Sequence, residues 1–346
     1  MKTEKTEALF NQMTLFAGGE HGYKCYRIPA LVVSTRGTIL AFCEARRNSC
    51  SDFGDIDIVL KRSFDNGKTF EEMQVIAVDG ANTIHNPCPV VDKHTSAIWL
   101  TFCKNYKQVF VMNSKDDGAT WGEPVEITKD VMDPTWYNVG SGPGHGIQLM
   151  DGSLLIPSWA GYERDWGPQR SYVFFSDDGG ASWKRGEALS KDQSDECEVV
   201  QTIDGSLYMN MRSRHQKRRA YAWSKDGGLT WSKVKFDSTL PEPSCQGSLV
   251  RFTDKESFQK NRVLLCAPAS TTERARLTVR LSYDECQTWP VSKVVNEGSS
   301  AYSDLAIAPD MTILCLYEAD EYSKIVLARF NIEWLTDGAE HLRKKA

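Results

Sequence analysis

Short apolar runs separated by polar turn residues recur along the whole chain, and few stretches have the periodicity of a helix. The runs typical of strands occupy residues 56–60, 97–102, 109–112, 171–175, 207–211, 263–267 and 312–317. The pairs Asp151-Gly152 and Asp204-Gly205 each stand before Ser-Leu and a further apolar run, which is typical of a β-hairpin. The pattern therefore predicts an all-β protein.

One segment, S-x-D-x-G-x-T-W, occurs five times with small departures. The copies occupy residues 63–70, 114–121, 176–183, 224–231 and 282–289. Ser and Asp side chains can accept backbone N–H groups a few residues on, Gly permits a positive φ, and Thr and Trp suit re-entry into a strand. The spacing of the copies is typical of a propeller or a solenoid array, and one blade per copy is the simplest interpretation.

A calcium-binding loop is the alternative for the copies at Asp65 and Asp116, but no Glu closes either loop at the required spacing. We therefore interpret the repeat as a structural turn. Phe70 replaces the Trp of the first copy and Cys286 replaces the Gly of the fifth. These changes should weaken the two turns without affecting a functional site.

The repeats leave no linker, so we expect residues 1–346 to form a single domain. Three further strand-like runs follow the last repeat, at residues 305–307, 313–316 and 325–330. We expect them to pair with a strand near residues 26–43, because closing the ring removes the open edges of a propeller.

Composition narrows the class of protein. The chain has 346 residues, of which 41% are hydrophobic and 25% charged, and a net charge of −5. These values are typical of a globular protein and argue against a nucleic-acid partner. Residues 1–12 lack the apolar region of a signal peptide, and no later run is long enough for a membrane span.

The ten cysteines form no C-x-x-C pair, so the sequence signals neither a disulfide scaffold nor a zinc site. Several lie inside apolar runs, as Cys43 and Cys315 do, where a free thiol behaves as a small hydrophobe. We therefore expect reduced thiols and a cytoplasmic location, with secretion as the alternative if a leader has been removed.

Three arginines stand at unusual places for a plain β protein. Arg27 precedes Ile-Pro at the start of an apolar run, Arg212 ends another, and Arg274 opens a third. Each alone is compatible with an ion pair at a strand end. Arg276 and Arg280 follow Arg274 in the same run, and strand alternation puts all three on one face. Alternation therefore does not show which of the three belongs with Arg27 and Arg212.

These residues resemble the sialidases, or neuraminidases, which are six-bladed β-propellers with Asp-box turns. The resemblance covers nearly the whole chain. It rests on Tyr26-Arg27-Ile28-Pro29, the five repeats and the ordered arginines, with further matches at Asn86-Pro87-Cys88-Pro89, Gly142-Pro143-Gly144-His145-Gly146, Cys245-Gln246-Gly247-Ser248 and Ala301-Tyr302-Ser303-Asp304-Leu305. It implies a glycosidase that acts on sialylated glycans and uses neither a cofactor nor a metal.

The resemblance also implies binding roles. Arg27, Arg212 and Arg274 would clamp the sialic acid carboxylate, since guanidinium forks match a carboxylate with paired hydrogen bonds. Arg46 would lie near the sugar's C4 hydroxyl, although Arg47 is hard to separate from it. Asn86 and Gln246 would complete the binding set.

The catalytic roles follow in the same way. Tyr302 would be the nucleophile and Glu196 the base that takes its proton, because a neutral phenol is not repelled by the carboxylate on the anomeric carbon. Asp52 would be the general acid and base, with Asp55 and Asp57 as alternatives.

The implied activity is that of an exo-α-sialidase that hydrolyses terminal α-linked sialic acids with retention. A sialic-acid-binding propeller without the chemistry, or a trans-sialidase, is the alternative. The aromatic stretch at residues 159–170, which includes Trp166, is either a wall over the pocket or a surface loop.

Overall fold

The computed structural model describes residues 7–163, 167–190 and 194–345, which form antiparallel sheets with very little helix. The first strands are β1 (Phe10–Ala17), β2 (Cys25–Val33), β3 (Ile39–Arg46), β4 (Ile56–Ser63), β5 (Gln74–Ala77), β6 (Ile84–Val91), β7 (Ile98–Lys104), β8 (Gln108–Ser114) and β9 (Val125–Glu126). A short helix, α1 (Thr128–Val131), follows them.

The chain continues in the same pattern. Its later strands are β10 (Asn138–Ser141), β11 (Ile147–Gln148), β12 (Leu154–Gly161), β13 (Gln169–Ser176), β14 (Lys184–Arg185), β15 (Cys197–Gln201), β16 (Leu207–Met211), β17 (Arg218–Ser224), β18 (Lys235–Pro241), β19 (Ser248–Thr253), β20 (Arg262–Pro268), β21 (Ala275–Ser282), β22 (Val291–Ile307), β23 (Ile313–Ala319) and β24 (Lys324–Phe330). Helix α2 (Ile332–Leu335) comes last. The prediction of an all-β protein is confirmed.

The described strands form five sheets. Four have the orders β2-β3-β4-β5, β6-β7-β8-β9, β10-β12-β13-β14 with β11 beside β12, and β15-β16-β17-β18. The fifth has seven strands in the order β1-β24-β23-β22-β21-β20-β19. Its central strand β22 is 17 residues long, and the two halves of β22 pair with β21 and β23 respectively.

The end of the chain pairs with its beginning. We predicted a partner near residues 26–43 for the last strands, and this was wrong. β24 pairs instead with β1, in a register that places Phe330 opposite Phe10. β1 has mostly exposed side chains in its first half, as suits an outer edge, whereas β2 is buried along almost its whole length.

The five repeats are tight turns between strands that are neighbours in the sheet. They connect β4 to β5, β8 to β9, β13 to β14, β17 to β18 and β21 to β22. In the first copy, Ser63 Oγ accepts the N–H of Gly67 at 3.0 Å, and Asp65 Oδ1 accepts the N–H of Thr69 at 2.9 Å. The same contacts recur in the other copies. In the fifth, Cys286 adopts a φ of 68° where the others have Gly. The interpretation as a structural turn therefore accounts for every copy.

Apolar side chains fill the space between neighbouring sheets. Leu40 and Phe42 of β3, for example, pack in one buried cluster with Ile98 and Leu100 of β7. Burial of this kind stabilises the fold by about 25 cal/mol for each Å² of apolar surface removed from water. It also holds the inner strands rigidly enough to carry polar residues at their ends.

Two inner strands carry a bulge at a residue with positive φ. Ile28 in β2 has a φ of 57° and Asn86 in β6 a φ of 55°, and the strand register shifts at both places. A buried carboxylate accepts the freed N–H in each case, Glu318 for Ile28 and Glu44 for Asn86, both at 2.9 Å. Because a bulge changes the direction of its neighbours, these two contacts orient the side chains of Arg27 and Asn86.

The cysteine prediction needs one correction. Cys25 and Cys50 form a disulfide, whereas the other eight cysteines are free and buried. Cys50 lies in the polar loop after β3, outside any apolar run, so the burial argument never applied to it. One premise of the cytoplasmic prediction is removed, and that location stays a prediction. Among the described residues, no helix has the length and apolar character needed to cross a bilayer.

Candidate active site

A cavity of about 240 Å³ is lined by residues from all five sheets, which lie on strands and on the loops next to them. Its lining consists of Arg27, Ile28, Arg46, Asp52, Asn86, Tyr106, Trp159, Gln169, Asp195, Glu196, Arg212, Arg214, Arg274 and Tyr302. Five of these residues are arginines, in a chain whose net charge is negative. The cavity is therefore suited to an anionic ligand.

Tyr302 and Glu196 are in direct contact. The phenol of Tyr302 donates a hydrogen bond to Glu196 Oε1 and accepts one from Arg212 Nη1 at 2.9 Å. The same Nη1 lies 2.8 Å from Glu196 Oε2. Tyr302 lies in β22 and Glu196 just before β15, so two distant parts of the chain build this pair.

Burial raises the pKa of Tyr302 well above its ordinary value of 10, and the charge of Glu196 raises it further. Arg212 and Arg274 act in the opposite direction without reversing the shift. The phenol is thus neutral at physiological pH. Its proton can leave only to a group in contact with it, and Glu196 is that group.

Three arginines converge around Tyr302. Arg27 and Arg274 have their guanidinium carbons 5.4 and 5.3 Å from the centre of its ring, and Arg212 contacts its hydroxyl. Arg27 is held by Glu318, whose oxygens accept Nε at 2.9 Å and Nη2 at 3.0 Å. Arg274 donates to Ser244 O at 3.0 Å. The structure thus brings the three separated arginines together around one side chain.

Arg274 is the member of its run that lines the cavity. We expected Arg274, Arg276 and Arg280 to share one face, and this was wrong because Arg276 has a φ of 58° and the register shifts around it. The bulge breaks the alternation. Arg276 is exposed and lies 3.5 Å from Glu297, while Arg280 is buried elsewhere in the sheet.

Asp52 also lines the cavity and lies on the loop after β3. Arg46 Nη1 donates to its Oδ1 at 2.9 Å, and Arg27 Nη1 lies 3.4 Å from the same atom. Burial raises the pKa of Asp52, but Arg46 and then Arg27 outweigh it and hold that pKa below its ordinary value. The carboxylate is therefore ionised in the free protein at neutral pH.

The residues that were alternatives to Asp52 and Arg46 form ion pairs with one another outside the cavity. Arg47 pairs with Asp55 at 3.2 Å and with Asp57 at 2.6 Å, and none of the three lines the cavity. Arg46, by contrast, is almost fully buried and lines it. The geometry thus separates Arg46 from Arg47, and Asp52 from the other two aspartates, which the sequence alone did not.

The two predicted amides differ in position. Asn86 lines the cavity, and its Nδ2 is buried without a hydrogen-bond partner among the described residues. Gln246 does not line it: both ends of its amide bond to the backbone of Ser303, each at 3.0 Å. Gln246 therefore fixes the strand that carries Tyr302 and does not face a ligand.

Sequence reasoning missed several residues at the site. Tyr106, Gln169, Asp195 and Arg214 line the cavity, and no motif pointed to them. Trp159 also lines it, whereas Trp166 lies outside the described residues.

Glu318 was missed too, although a signal existed. It is a charged residue inside the apolar strand β23, and a buried carboxylate requires a partner. Besides Arg27 and the Ile28 N–H, Glu318 accepts the backbone N–H of Tyr302 at 3.2 Å. It joins one clamp arginine to the strand that carries the phenol.

The comparisons with known proteins agree with this geometry. Residues 29–315 match the family model described as BNR repeat-like domain. The chain is 33% identical to a sialidase of Micromonospora viridifaciens, over 95% of this chain and 55% of that protein. It is 32% identical to an exo-alpha-sialidase of Aspergillus fumigatus, over 92% of this chain and 86% of that protein.

The chain belongs to the sialidase family. The solved structure of the Hadza microbial sialidase superposes on it with a TM-score of 0.87 and 30% identity, over 94% of this chain and 69% of the other. The resemblance predicted from the sequence is confirmed. This sialidase-family chain spans little more than half the length of the Micromonospora relative.

Proposed function

We propose that this chain is an exo-α-sialidase that hydrolyses terminal α-linked sialic acids from glycoconjugates, with retention through a tyrosyl-sialoside intermediate. The observation that carries the proposal is the contact of a buried, neutral phenol, Tyr302, with Glu196 in a cavity lined by arginines. Family membership supports the substrate class.

Arg27, Arg212 and Arg274 form the clamp for the carboxylate of the sugar. Each guanidinium offers paired N–H donors, and the three lie around the ring or hydroxyl of Tyr302. A carboxylate held there places the anomeric carbon, to which it is attached, next to the phenol oxygen. Glu318 keeps Arg27 in position during binding.

Tyr302 attacks the anomeric carbon while Glu196 takes the phenol proton. A carboxylate nucleophile would be repelled by the carboxylate of the substrate, and a neutral phenol is not. The proton moves along the existing hydrogen bond from Tyr302 to Glu196 Oε1. Arg212, in contact with both residues, stabilises the negative charge wherever it lies.

Asp52 protonates the leaving oxygen and later takes a proton from the attacking water, while Glu196 returns its proton to the Tyr302 oxygen as the bond between that oxygen and the sugar breaks. In the free protein Arg46 and Arg27 keep it ionised. The substrate carboxylate brings a negative charge to Arg27, which weakens the arginine's effect on Asp52 and raises the pKa of Asp52 toward the protonated form. Substrate binding thus prepares the acid.

We also propose that the sheets are the blades of a six-bladed propeller. Four blades are the separate sheets, and the seven-stranded sheet divides at β22 into two more. β19, β20, β21 and the first half of β22 form one, and the second half of β22 forms the other with β23, β24 and β1.

Hydrolysis of a fluorogenic α-sialoside, followed by proton NMR of the first sugar released, tests this function. We expect the α-anomer to appear first and to convert later to the β-anomer. Tyr302→Phe should bind a sialic acid analogue like the parent but release no sugar. Release of the β-anomer first would mean inversion, and undiminished turnover by the variant would remove Tyr302 from the mechanism.

A further inference from the structure

A second cluster of ionisable residues includes the residues that lie two positions after Tyr302 and Glu196 in the sequence. Asp304 is two residues after Tyr302 and Glu198 is two residues after Glu196, and these two carboxylates also lie together. His145 completes the group: its Nδ1 is 2.8 Å from Asp304 Oδ1 and 3.9 Å from Glu198 Oε1. All three ligand atoms lie within 4.8 Å of one another.

This cluster is separate from the candidate active site. None of its members lines the active-site cavity, and all three are at least about nine-tenths buried. His145 instead lines a second cavity of about 390 Å³, between inner-strand residues such as Leu31, Leu249 and Leu305. Of these two cavities, the cluster therefore borders only the second, through His145.

One atom of the cluster has no partner. Glu198 Oε2 accepts the N–H of Leu249 at 2.6 Å, but Glu198 Oε1 is buried and accepts no hydrogen bond from any described residue. Gly144, with a φ of 99°, leaves the space for this oxygen, because a Cβ there would lie 1.6 Å from it. Burying an oxygen with a negative charge in this way is costly unless a cation or a proton meets it.

Asp304 can supply that partner only by sharing a proton with Glu198, which is the arrangement that competes with a bound cation. Its Oδ1 and Oδ2 accept the N–H groups of Leu305 at 2.9 Å and Leu31 at 2.7 Å. If both carboxyl groups are ionised, the two carboxylates and one imidazole carry a net charge of −1 even when the imidazole is protonated. The charge of the ionised cluster is balanced by one divalent cation when the imidazole is neutral.

We propose that His145, Glu198 and Asp304 bind one divalent transition-metal ion, with Zn²⁺ as the representative. One imidazole nitrogen and two carboxylate oxygens are ligands that zinc accepts at about 2.0–2.2 Å. Donor atoms around a tetrahedral ion lie roughly 3.3 Å apart, and the separations of His145 Nδ1 from Asp304 Oδ1, 2.8 Å, and from Glu198 Oε1, 3.9 Å, lie on either side of this value. The ion links strand β22, which carries Tyr302, to strand β15, which follows Glu196. No motif in the sequence, which lacks a C-x-x-C pair, predicted this metal site.

Titration of Zn²⁺ into untagged, chelator-treated protein tests the site. Calorimetry and native mass spectrometry should find one ion per chain, with proton release on binding because the ligands bind in their deprotonated forms. Glu198→Gln should weaken the affinity by at least about tenfold, since even outer-shell changes have effects of that size. Glu333→Gln is the matched control, because it alters another His–carboxylate pair, with His341, outside the cluster.

Absence of stoichiometric Zn²⁺ binding in the parent would overturn the proposal, and so would equal binding by a folded Glu198→Gln. If that variant does not fold, Co²⁺ in the parent decides the question. We expect visible d–d bands without a thiolate charge-transfer band, whereas a thiolate band would place the metal on the free cysteines. Binding by nitrogen and oxygen ligands alone supports the cluster.

Discussion

Lysine in place of Arg274 tests which arginine completes the carboxylate clamp. Arg274 Nη2 donates to Ser244 O at 3.0 Å, and Nη1 reaches Tyr322 Oη at 3.3 Å. These contacts fix the plane of the guanidinium beside Tyr302. A lysine ammonium keeps the charge but presents neither the plane nor the paired donors.

The expected loss follows from the contacts removed. A hydrogen bond to a charged group contributes about 1.5–3 kcal/mol, and each 1.4 kcal/mol corresponds to about tenfold in affinity. Arg274→Lys should therefore weaken the binding of a carboxylate ligand by about tenfold to a hundredfold. Arg276 offers a matched control in the same run, since its side chain is 56% exposed and does not line the cavity.

The assay is calorimetric measurement of the dissociation constant of a dehydrated, planar sialic acid analogue at one pH and ionic strength. Arg274→Lys, Arg276→Lys and Arg280→Lys are compared with the parent. A large loss at Arg276 or Arg280, with parental binding by Arg274→Lys, would show that the third clamp residue is misassigned. Parental binding by all three variants would contradict the clamp itself.

Three further predictions concern the scaffold. Denatured, unreduced protein should show eight titratable thiols rather than ten, because Cys25 and Cys50 are paired; a count of ten would exclude the disulfide. Hydrogen bonds from the hydroxyl and N–H of Ser182 lower the pKa of Asp178 to about 2, so its stabilisation is present above pH ~4 and is lost as the pH falls toward 2. In urea unfolding near neutral pH, Asp178→Asn should thus be less stable than the parent by under about 1 kcal/mol, whereas near pH 2 the two proteins should be equally stable. A difference in stability that is the same at both pH values would contradict the assignment. Glu318→Gln should lower the free energy of unfolding by about 3–5 kcal/mol in the same measurement, since it removes the buried carboxylate that pairs with Arg27, and a loss under about 1 kcal/mol would refute that role.

Regular features of the sequence predicted the fold well. Period-two apolar runs gave the sheets, and the five repeats gave the turns, because both depend on contacts within a few residues. The pairing of β24 with β1 depends on contacts between the two ends of the chain. Local pattern holds no information on such contacts, and the wrong partner was predicted.

The site was predictable in type but not in detail. Motif resemblance pointed to Arg27, Glu196 and Tyr302, and all three line one cavity. Resemblance also selected Arg274 over Arg276 and Arg280, whereas alternation could not, because it does not reveal the bulge at Arg276. Buried contacts such as those of Glu318 and Gln246 join residues far apart in the chain, so only the folded structure assigns them.

The tyrosyl intermediate is tested most directly by trapping it. A sialosyl substrate with fluorine beside the anomeric carbon slows breakdown of the intermediate, because fluorine disfavours the positively charged transition state. After acid quenching and proteolysis, mass spectrometry should find the sugar on the peptide that contains Tyr302, and on no peptide of the Tyr302→Phe variant. Attachment to Glu196 or Asp52, or turnover without any adduct, would contradict the account.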